Sequence, residues 1–380
     1  ITFSKEELER YSRHLIIPEF NIEGQKKLKA SSVLVIGSGG LGSPLLLYLA
    51  AAGVGRIGIV DFDTVDVSNL QRQVLFGIQD VGVSKVVAAS KRLESLNPHI
   101  SIEVHDTMFT VDNARDLVKQ YDVVADGTDN FPTRYLVNDA CVLEDKVNVY
   151  ASIFRFEGQA SVFNQLLHDG TRGPNYRDLF PSPPPPGLVP SCAEGGVIGV
   201  LPGILGSMQA LEVLKVISGI GDTLSGRLFL FDATGFTTRI LKVRKNKNNP
   251  LNGENPTQTK LINYEHFCGI DRKSEQPREV AKISVSILDK WRKEGIDHLL
   301  IDVREPYEYG IAEIGGELIP LATVLESTDR IPKDIPVVVQ CRSGARSASA
   351  IRQLEDTHGY TNLVNLTGGI LGWQEEIDSS

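Results

Sequence analysis

Residues 33–61 have the pattern of a strand, a glycine-rich turn, a helix and a second strand. The four segments are a β-branched run at 33–36, a turn at 37–42, a stretch of helical composition at 43–52 and an apolar run at 57–60. The turn has the spacing Gly-x-Gly-x-x-Gly, with Gly37, Gly39 and Gly42. This order is that of one βαβ unit of a doubly wound sheet, so we expect an α/β fold in this part of the chain.

The glycine turn predicts a phosphate-binding site. Its backbone can approach a phosphate closely, and the N-terminus of the following helix offers unpaired N–H groups. Asp61 ends the second strand and can bind ribose hydroxyls. Asp129 follows another buried strand, at 121–126, and the carboxyl ends of such strands meet in one crevice. We therefore expect both carboxylates to face one nucleotide, which from the glycine motif alone is NAD or ATP.

Polar residues after the second strand favour ATP over NAD. They are Asp63, Asp66, Asn69, Arg72, Gln73 and Lys85. Cations such as Arg72 and Lys85 can neutralise the charge that builds up when an ATP α-phosphate is attacked, and Asp129 can hold Mg²⁺. A dehydrogenase has no evident need for these cations. The alternative is that they are solvated charges on a helix surface.

Length and charge limit the class of protein. We expect two domains in the 380 residues, at 1–250 and 278–380, joined by a linker at 251–277. The second domain is also predicted to be α/β, from strand-like runs at 299–303, 337–339 and 363–366. The net charge of −9 argues against nucleic-acid binding, which needs a basic surface.

The sequence predicts a cytoplasmic protein without membrane attachment. We find no run of about 18 uninterrupted apolar residues, and the first residues lack the pattern of a secretory signal. The four cysteines show no short pairing pattern, which fits a reducing compartment.

Cys341 opens a loop between a strand-like run and a predicted helix at 348–355. The loop residues are Cys341, Arg342, Ser343, Gly344, Ala345 and Arg346. Backbone N–H groups of such a loop can stabilise a thiolate or persulfide, and the arginines could bind an incoming anion. A tyrosine phosphatase is the competing interpretation, but it needs five residues between the cysteine and the arginine. Four residues separate Cys341 from Arg346.

Five motifs in the first 130 residues resemble those of the MoeB/ThiF family of adenylating enzymes. They are Tyr11-Ser12-Arg13-His14, the turn 37–42, Asp61-Phe62-Asp63, the run from Ser68 to Gln73, and Thr128-Asp129-Asn130. The resemblance extends from about Tyr11 to Gly269. It implies a Rossmann-like domain that uses MgATP to adenylate the C-terminal glycine of a small ubiquitin-fold sulfur carrier, of the MoaD or ThiS type.

The resemblance also implies roles for single residues. Gly39 and Gly40 would approach the phosphates, Asp61 would bind ribose, Asn69, Arg72 and Lys85 would hold the polyphosphate, and Asp129 would bind Mg²⁺. Gly37, Gly42, Asp63 and Gln73 complete the predicted nucleotide site. Arg13 would reach the ATP of the partner subunit in a homodimer.

The C-terminal part resembles a rhodanese domain, in the Cys341 loop, in residues 302–305 and in residues 368–373. The match covers about 283–373 and implies that Cys341 takes up sulfur as a persulfide. The donor would be a cysteine desulfurase or thiosulfate. The two resemblances together imply an adenylyltransferase and sulfurtransferase that converts the carrier to a thiocarboxylate. Molybdenum cofactor synthesis, thiamine synthesis, tRNA thiolation and cysteine synthesis all stay open as its pathway.

Cys192 lies in the run Ser-Cys-Ala-Glu-Gly-Gly, and Cys141 and Cys268 are expected to be structural. In related fused enzymes a cysteine in this context takes part in handling the activated carrier. An alternative function is the activation of a ubiquitin-like protein for conjugation, with Cys192 as the thioester carrier. A third interpretation is a nucleotide-regulated scaffold that docks a sulfur carrier without catalysis.

The chain departs from the family where many members bind a structural zinc ion with two Cys-x-x-Cys pairs. The corresponding positions are Asn175, Asp178, Asn249 and Asn252. Three amides and one carboxylate are poor zinc ligands. We therefore expect no structural zinc, and we expect hydrogen bonds or packing to hold this region together.

Overall fold

The computed structural model describes residues 1–184, 196–269 and 280–377, and it divides into two compact units, Ile1–Arg272 and Lys273–Ser380. The first unit continues past its predicted boundary at residue 250. Leu251, Tyr264 and Cys268 are buried, and the last two belong to a core cluster of this unit. Residues 251–269 of the predicted linker therefore pack on the first unit, because they carry apolar side chains that complete its core.

The first unit contains a mixed eight-stranded sheet. Its strands are β1 (Ser32–Ile36), β2 (Arg56–Asp61), β3 (Ser101–Asp106), β4 (Val123–Asp126), β5 (Val147–Phe154), β6 (Glu157–Phe163), β7 (Arg227–Asp232) and β8 (Thr237–Lys242). The spatial order is β3-β2-β1-β4-β5-β6-β7-β8. The first five of these in space are parallel, and the remaining pairings are antiparallel. The predicted Rossmann-like α/β fold is confirmed, with an antiparallel extension.

Ten α-helices are described in this unit. They are α1 (Lys5–Arg10), α2 (Ser12–Leu15), α3 (Asn21–Ala30), α4 (Gly42–Ala52), α5 (Lys85–Leu96), α6 (Ala114–Lys119), α7 (Phe131–Leu143), α8 (Tyr176–Leu179), α9 (Val200–Ser218) and α10 (Tyr264–Phe267), with 3₁₀ turns at Val67–Asn69 and Ile78–Asp80. β1 lies between β2 and β4, so the strand order reverses beside it. A crevice opens at such a reversal, at the carboxyl ends of the strands.

Helix α9 packs against α4 and the sheet and closes one side of the core. Leu205, Gln209 and Val213 on this helix are buried. A Cβ atom at Gly206 would lie only 2.4 Å from the carbonyl oxygen of Leu41, so this glycine permits the close approach. By length and composition alone, α9 is long and apolar enough to span a membrane, although Gln209, Glu212 and Lys215 interrupt its apolar residues. Its packing is that of a core helix.

The second unit is built on a five-stranded parallel sheet. Its strands, in the spatial order β11-β10-β12-β13-β9, are β9 (Lys282–Ile283), β10 (Leu299–Asp302), β11 (Glu317–Leu318), β12 (Val337–Gln340) and β13 (Leu363–Leu366). The helices are α11 (Val285–Glu294), α12 (Pro306–Tyr309), α13 (Ala345–His358) and α14 (Gly369–Glu376), with 3₁₀ turns at Leu321–Glu326 and Thr328–Arg330. Val337 and Val339 face one core cluster and Val338 the other, as the alternation of a strand requires. The central strand β12 delivers Cys341 at its carboxyl end.

Candidate functional site

A pocket at the carboxyl ends of β1, β2 and β4 contains ten of the twelve predicted nucleotide-site residues. They are Gly37, Gly39, Gly40, Asp61, Asp63, Asn69, Arg72, Gln73, Lys85 and Asp129. The two exceptions are Gly42 and Arg13. Gly42 begins α4, and Arg13 is an exposed residue of α2. The expectation that Asp61 and Asp129 face one crevice is therefore confirmed.

The glycine turn is tight because two of its residues accept no side chain. Gly37 has a φ of +89°, in the left-handed region that favours glycine. A Cβ atom at Gly42 would lie 2.0 Å from the carbonyl oxygen of Gly37, which is impossible without rebuilding the turn. No side chain caps the N-terminus of α4. Its first turn can therefore present N–H groups to an anion.

Asp61 is fixed at the end of β2 by three hydrogen bonds. The backbone N–H and the hydroxyl of Ser38 both donate to Asp61 Oδ2 at 2.8 Å, and the N–H of Asp63 donates to Oδ1 at 3.0 Å. Oδ2 thus accepts two hydrogen bonds already, and Oδ1 can accept one more. The arrangement suits the binding of a ribose hydroxyl, and Ser38 is a supporting residue for which the sequence motifs predicted no role.

Lys85 and Arg72 provide positive charge on the wall of the pocket. The side chain of Lys85 is 7% exposed, and its Nζ lies 2.8 Å from Asp63 Oδ2. Arg72 donates from Nη1 to the carbonyl oxygen of Ser68 at 3.0 Å, which leaves other guanidinium donors for a ligand. A Cβ atom at Gly40 would lie 3.7 Å from Arg72 Cγ, so the arginine stem lies against the glycine turn. A polyphosphate bound at the glycine turn would therefore lie close to the positive charges of Lys85 and Arg72.

Asp129 is exposed on the pocket wall because the preceding turn is anchored. The N–H and hydroxyl of Thr128 donate to Asp126 Oδ1 at 2.9 and 2.7 Å. Burial raises the pKa of the Asp126 carboxyl, and the hydrogen bonds from Thr128 oppose that rise. Arg134 donates to the carbonyl oxygen of Thr128 from the other side. Asp126 thus holds the turn, while Asp129 remains available to a ligand.

Cys341 directly follows strand β12 in the second unit, and two hydrogen-bond donors lie close to its sulfur atom. The Gly344 N–H lies 3.1 Å and the Ser347 hydroxyl 3.4 Å from Cys341 Sγ. Burial alone would raise the pKa of the Cys341 thiol. Hydrogen bonds from the Ser347 side chain and from the backbone of Ser347, Ser343 and Gly344 outweigh it, so the pKa lies below the ordinary cysteine value. The loop therefore favours a sulfur anion.

The two arginines of the Cys341 loop differ in their surroundings. Arg346 forms two hydrogen bonds with the carboxylate of Glu308 on α12, each 2.7 Å long. Arg342 is exposed. Anion binding by the two arginines stays a prediction, and part of the Arg346 guanidinium is engaged by Glu308.

Comparison with known proteins agrees with both halves of this description. The model of the "ThiF family" matches residues 11–252, and that of the "Rhodanese-like domain" matches residues 284–376. The chain belongs to the ThiF family. It carries a rhodanese domain in addition, and it is an enzyme, an adenylyltransferase and sulfurtransferase. Membership of this family supports the use of ATP, as the cations of the pocket indicate, rather than NAD.

Relatives that match nearly the whole chain combine the two activities in their names. "Probable adenylyltransferase/sulfurtransferase MoeZ" of Mycobacterium tuberculosis is 49% identical over 98% of this chain and 94% of its own length. "Adenylyltransferase and sulfurtransferase MOCS3" of Anopheles gambiae is 43% identical over 99% of this chain and 88% of its own. A shorter relative, "Sulfur carrier protein adenylyltransferase" of Thermus thermophilus, is 53% identical over 70% of this chain and 99% of its own.

Solved structures support the fold. MccB of E. coli in complex with MccA-N7isoASN superposes with a TM-score of 0.56, at 19% identity, over 66% of this chain and 75% of its own. PaaA superposes with a TM-score of 0.53, at 23% identity, over 64% and 76%. At this level of identity the likeness concerns the architecture alone.

At the four positions that correspond to the zinc-binding cysteines of the family pattern, the side chains form a hydrogen-bonded cluster. We call this cluster the amide clasp (Asn175, Asp178, Asn249 and Asn252). Asn249 Nδ2 donates to Asp178 Oδ1 at 2.7 Å and to Asn175 Oδ1 at 3.2 Å. Asn175 Nδ2 donates to Asn252 Oδ1 at 3.0 Å. Asn175 and Asn249 are buried. The clasp joins the start of α8 to residues 249–252 through hydrogen bonds between polar side chains. Hydrogen bonding was one of the two ways, with packing, in which we expected this region to be held together.

The other cysteines of this ThiF-family chain divide into two groups. Cys141 and Cys268 are buried, and burial raises the pKa of Cys141 well above the ordinary value and that of Cys268 to about 11. They are neutral core residues at physiological pH. Cys192 lies outside the described residues.

Several residues of the two sites were not predicted from the sequence motifs. In the first unit, Phe62, Met108 and Phe109 give the nucleotide pocket an apolar wall, and Arg134 lines it as well. Phe62 lies inside the family motif Asp61-Phe62-Asp63, which was the available signal. In the second unit, Ser347 directly follows the predicted loop, whereas nothing in the sequence pointed to Glu308 as the partner of Arg346.

Proposed function

We propose that this enzyme activates a small ubiquitin-fold sulfur carrier with ATP and then transfers sulfur to it from Cys341, giving a C-terminal thiocarboxylate. The observation that carries the proposal is the presence in one chain of a cation-lined nucleotide pocket and a buried cysteine whose pKa is lowered. The name of the Thermus thermophilus relative, which specifies a sulfur carrier protein, supports the choice of substrate.

In the first step, the carboxylate of the carrier's terminal glycine attacks the α-phosphorus of ATP. A new P–O bond forms, the bond to the β-phosphate bridging oxygen breaks, and pyrophosphate leaves. Lys85 and Arg72 would balance the charge that accumulates on the phosphates, and Asp61 would hold the ribose. The product is an acyl adenylate, whose AMP is a good leaving group.

The pocket suits Mg²⁺ as the accompanying ion. Asp129 presents an exposed carboxylate, and Mg²⁺ is commonly held by one or two carboxylates together with substrate phosphates. When bound, Mg²⁺ neutralises phosphate charge. The residues of the chain would orient it through the anchored turn from Asp126 to Asp129.

In the second step, Cys341 carries a persulfide received from a donor such as a cysteine desulfurase or thiosulfate. The terminal sulfur attacks the carbonyl carbon of the acyl adenylate, the C–O bond breaks and AMP leaves. The acyl disulfide on Cys341 is then attacked by a thiolate, from Cys192 or from another thiol. The thiocarboxylate leaves, and a mixed disulfide with Cys341 remains, which an external thiol reduces. Cys341 returns to the thiolate state.

The cellular setting belongs to the same proposal. We expect a cytoplasmic homodimer in which Arg13 of one subunit reaches the ATP of its partner, as its exposed position on α2 allows. Molybdenum cofactor synthesis is one pathway that uses such a carrier. Thiamine synthesis, tRNA thiolation and cysteine synthesis are the others.

The test is to mix the enzyme with candidate carriers that end in Gly-Gly, ATP, Mg²⁺, thiosulfate and a thiol reductant. Pyrophosphate exchange into ATP measures the first step, and intact-protein mass spectrometry detects the replacement of one oxygen by sulfur in the carrier. Cys341→Ala should retain exchange and lose the sulfur product. A carrier extended by one residue, which lacks the terminal glycine carboxylate, is the negative control.

Two results would contradict the proposal. One is background exchange with every carrier, and the other is an unchanged thiocarboxylate yield with Cys341→Ala. The alternative function, conjugation through Cys192, predicts a thioester between Cys192 and the carrier that forms without any sulfur donor. Peptide mapping of the same mixtures distinguishes the two chemistries.

A further inference from the structure

Asn365 on β13 makes two hydrogen bonds that both end at the Cys341 loop. Its Nδ2 donates to the carbonyl oxygen of Gly344 at 3.0 Å, and its Oδ1 accepts from the hydroxyl of Ser347 at 2.6 Å. Asn365 and Ser347 are buried, as is Cys341 itself. Gly344 and Ser347 are the same residues that donate to Cys341 Sγ. One side chain thus ties down both donors to the sulfur.

The hydrogen-bond partners fix the orientation of the amide and the position of one proton. Since Nδ2 faces a carbonyl oxygen, Oδ1 must face Ser347, and the serine must donate to it. A serine hydroxyl has a single proton. While Cys341 is a thiol, its S–H can donate to the free lone pairs of Ser347 Oγ. When the thiol ionises, Sγ at 3.4 Å and Asn365 Oδ1 at 2.6 Å compete for this one proton, so donation to Sγ is made at the expense of the bond to Asn365.

We infer that Asn365 is a positioning residue for Cys341 and that the hydroxyl of Ser347 is the side-chain donor that stabilises its thiolate. The inference rests on the proposed role of Cys341 in sulfur transfer. A thiolate is needed to take sulfur from a donor, and it is formed again when the mixed disulfide is reduced. Ser347 acts on both occasions, and Asn365 holds Gly344, the second donor to the sulfur, through its carbonyl oxygen.

Charged groups around the loop do not replace this hydroxyl. Arg346 is engaged by Glu308 of α12, and Arg342 is exposed. Asp302 of β10 is paired with Arg304. Tyr307 of α12 is largely exposed. All of these groups remain in place when Ser347 is changed, so a shift in Cys341 reactivity would report on the hydroxyl.

The experiment compares Ser347→Thr with Ser347→Val in the full chain. These side chains have nearly the same shape, and only threonine has the hydroxyl. Each variant is alkylated with iodoacetamide, a neutral probe, over a range of pH, and the labelled Cys341 peptide is quantified by mass spectrometry. Ser349→Ala, on the same helix, is the matched control. Ser347→Ala and Asn365→Ala complete the series, and a thermal melt confirms that each variant is folded.

The expected result is a midpoint for Ser347→Val and Ser347→Ala about one pH unit above that of the wild type, because one hydrogen bond to a charged group is lost. Below the midpoint, alkylation at a given pH should then be about tenfold slower. Ser347→Thr and Ser349→Ala should keep the wild-type midpoint. Asn365→Ala should move the midpoint away from the wild-type value, since Gly344 loses its anchor and Ser347 loses the acceptor that competes with Sγ for its proton.

Equal midpoints for the threonine and valine variants would overturn the role of Ser347, and a wild-type midpoint for folded Asn365→Ala would overturn that of Asn365. The assay contains no ATP, carrier or sulfur donor. A failure of the proposed function, in which Cys341→Ala still yields thiocarboxylate, is therefore distinguishable from a failure of this inference.

Discussion

Arg346 and Glu308 form a two-point ion pair, with Nη1 and Nη2 of the arginine each 2.7 Å from one oxygen of the carboxylate. The pair crosses from the start of α13 to α12 and holds the end of the Cys341 loop. The hydrogen bonds from Arg346 are the main reason why the pKa of Glu308 lies below its ordinary value. Arg346 is therefore a structural cation of the loop, and Arg342 is the exposed one.

This difference predicts the behaviour of Arg342→Ala with an anionic sulfur donor. The KM for thiosulfate should rise by about three- to tenfold, because an exposed cation guides an anion to the loop. The rate with neutral iodoacetamide should change little. Arg342→Lys retains the charge and is the matched control. A loss of the wild-type salt dependence of the KM supports the charge effect, whereas an unchanged KM contradicts it.

The ion pair also predicts a pH-dependent stability. A depressed pKa in the folded state means that the Glu308 carboxylate adds stability above the ordinary glutamate value of 4.5, and that this stability is lost as the pH falls through the lower folded value. Glu308→Gln should therefore destabilise the second unit by about 1 kcal/mol at pH 7, and by less as the pH approaches 4.

Tryptophan fluorescence can measure this effect in the full chain. Both tryptophans of the protein, Trp291 and Trp373, lie in the second unit, so their emission follows the unfolding of that unit. Glu317→Gln, which alters a more exposed pair with Arg330, is the comparison variant. A difference between wild type and Glu308→Gln that stays constant from pH 7 to pH 4 would contradict the assignment.

The local elements of the fold follow closely from the sequence. The predicted strand at 363–366 coincides with β13 (Leu363–Leu366), and the glycine turn leads into α4 as expected. Short-range rules suffice there, because apolar alternation and glycine spacing act over a few residues. Helix α5 begins only at Lys85, since Gly82 has a φ of +83° and Ser84 is not helical.

The supporting contacts could not be predicted, because they join residues that are distant in the chain. Ser347 and Asn365 are 18 positions apart and meet only because β13 lies beside β12. Glu308 and Arg346 are 38 positions apart. The sequence therefore predicted the residues that face a ligand, through their motifs, but not those that hold them. The clasp was an exception, since the family pattern marked its four positions in advance.

Lys85 should be needed for adenylation. Lys85→Ala removes a buried cation from the pocket, and we expect pyrophosphate exchange to fall by at least about 100-fold. Lys91→Ala, at an exposed position of the same helix α5, is the matched control and should exchange normally. Transfer of sulfur from thiosulfate to cyanide by Cys341 does not use the nucleotide pocket and should be unaffected in both variants. Wild-type exchange with Lys85→Ala would remove this residue from the site.

The amide clasp should stabilise the first unit without a metal ion. Asn249→Ala removes two donated hydrogen bonds and leaves the buried N–H of Leu251 without its acceptor, Asn249 Oδ1, so the first unit should lose about 1–3 kcal/mol. Asn248→Ala, at the exposed neighbouring position, should have little effect. Circular dichroism follows the unfolding of both units, so a change in circular dichroism that the tryptophan emission of the second unit does not share belongs to the first unit.

Chelation separates the clasp from a zinc site. If hydrogen bonds alone hold the two segments, EDTA should leave the melting temperature of the wild type and of Asn248→Ala unchanged, and elemental analysis should find no stoichiometric zinc. A bound zinc ion would contribute much of the folding free energy of its site, so its removal would lower the melting temperature markedly. Stoichiometric zinc, or a melting temperature that falls with EDTA, would contradict the metal-free clasp. Three amides and a single carboxylate make the first outcome the expected one.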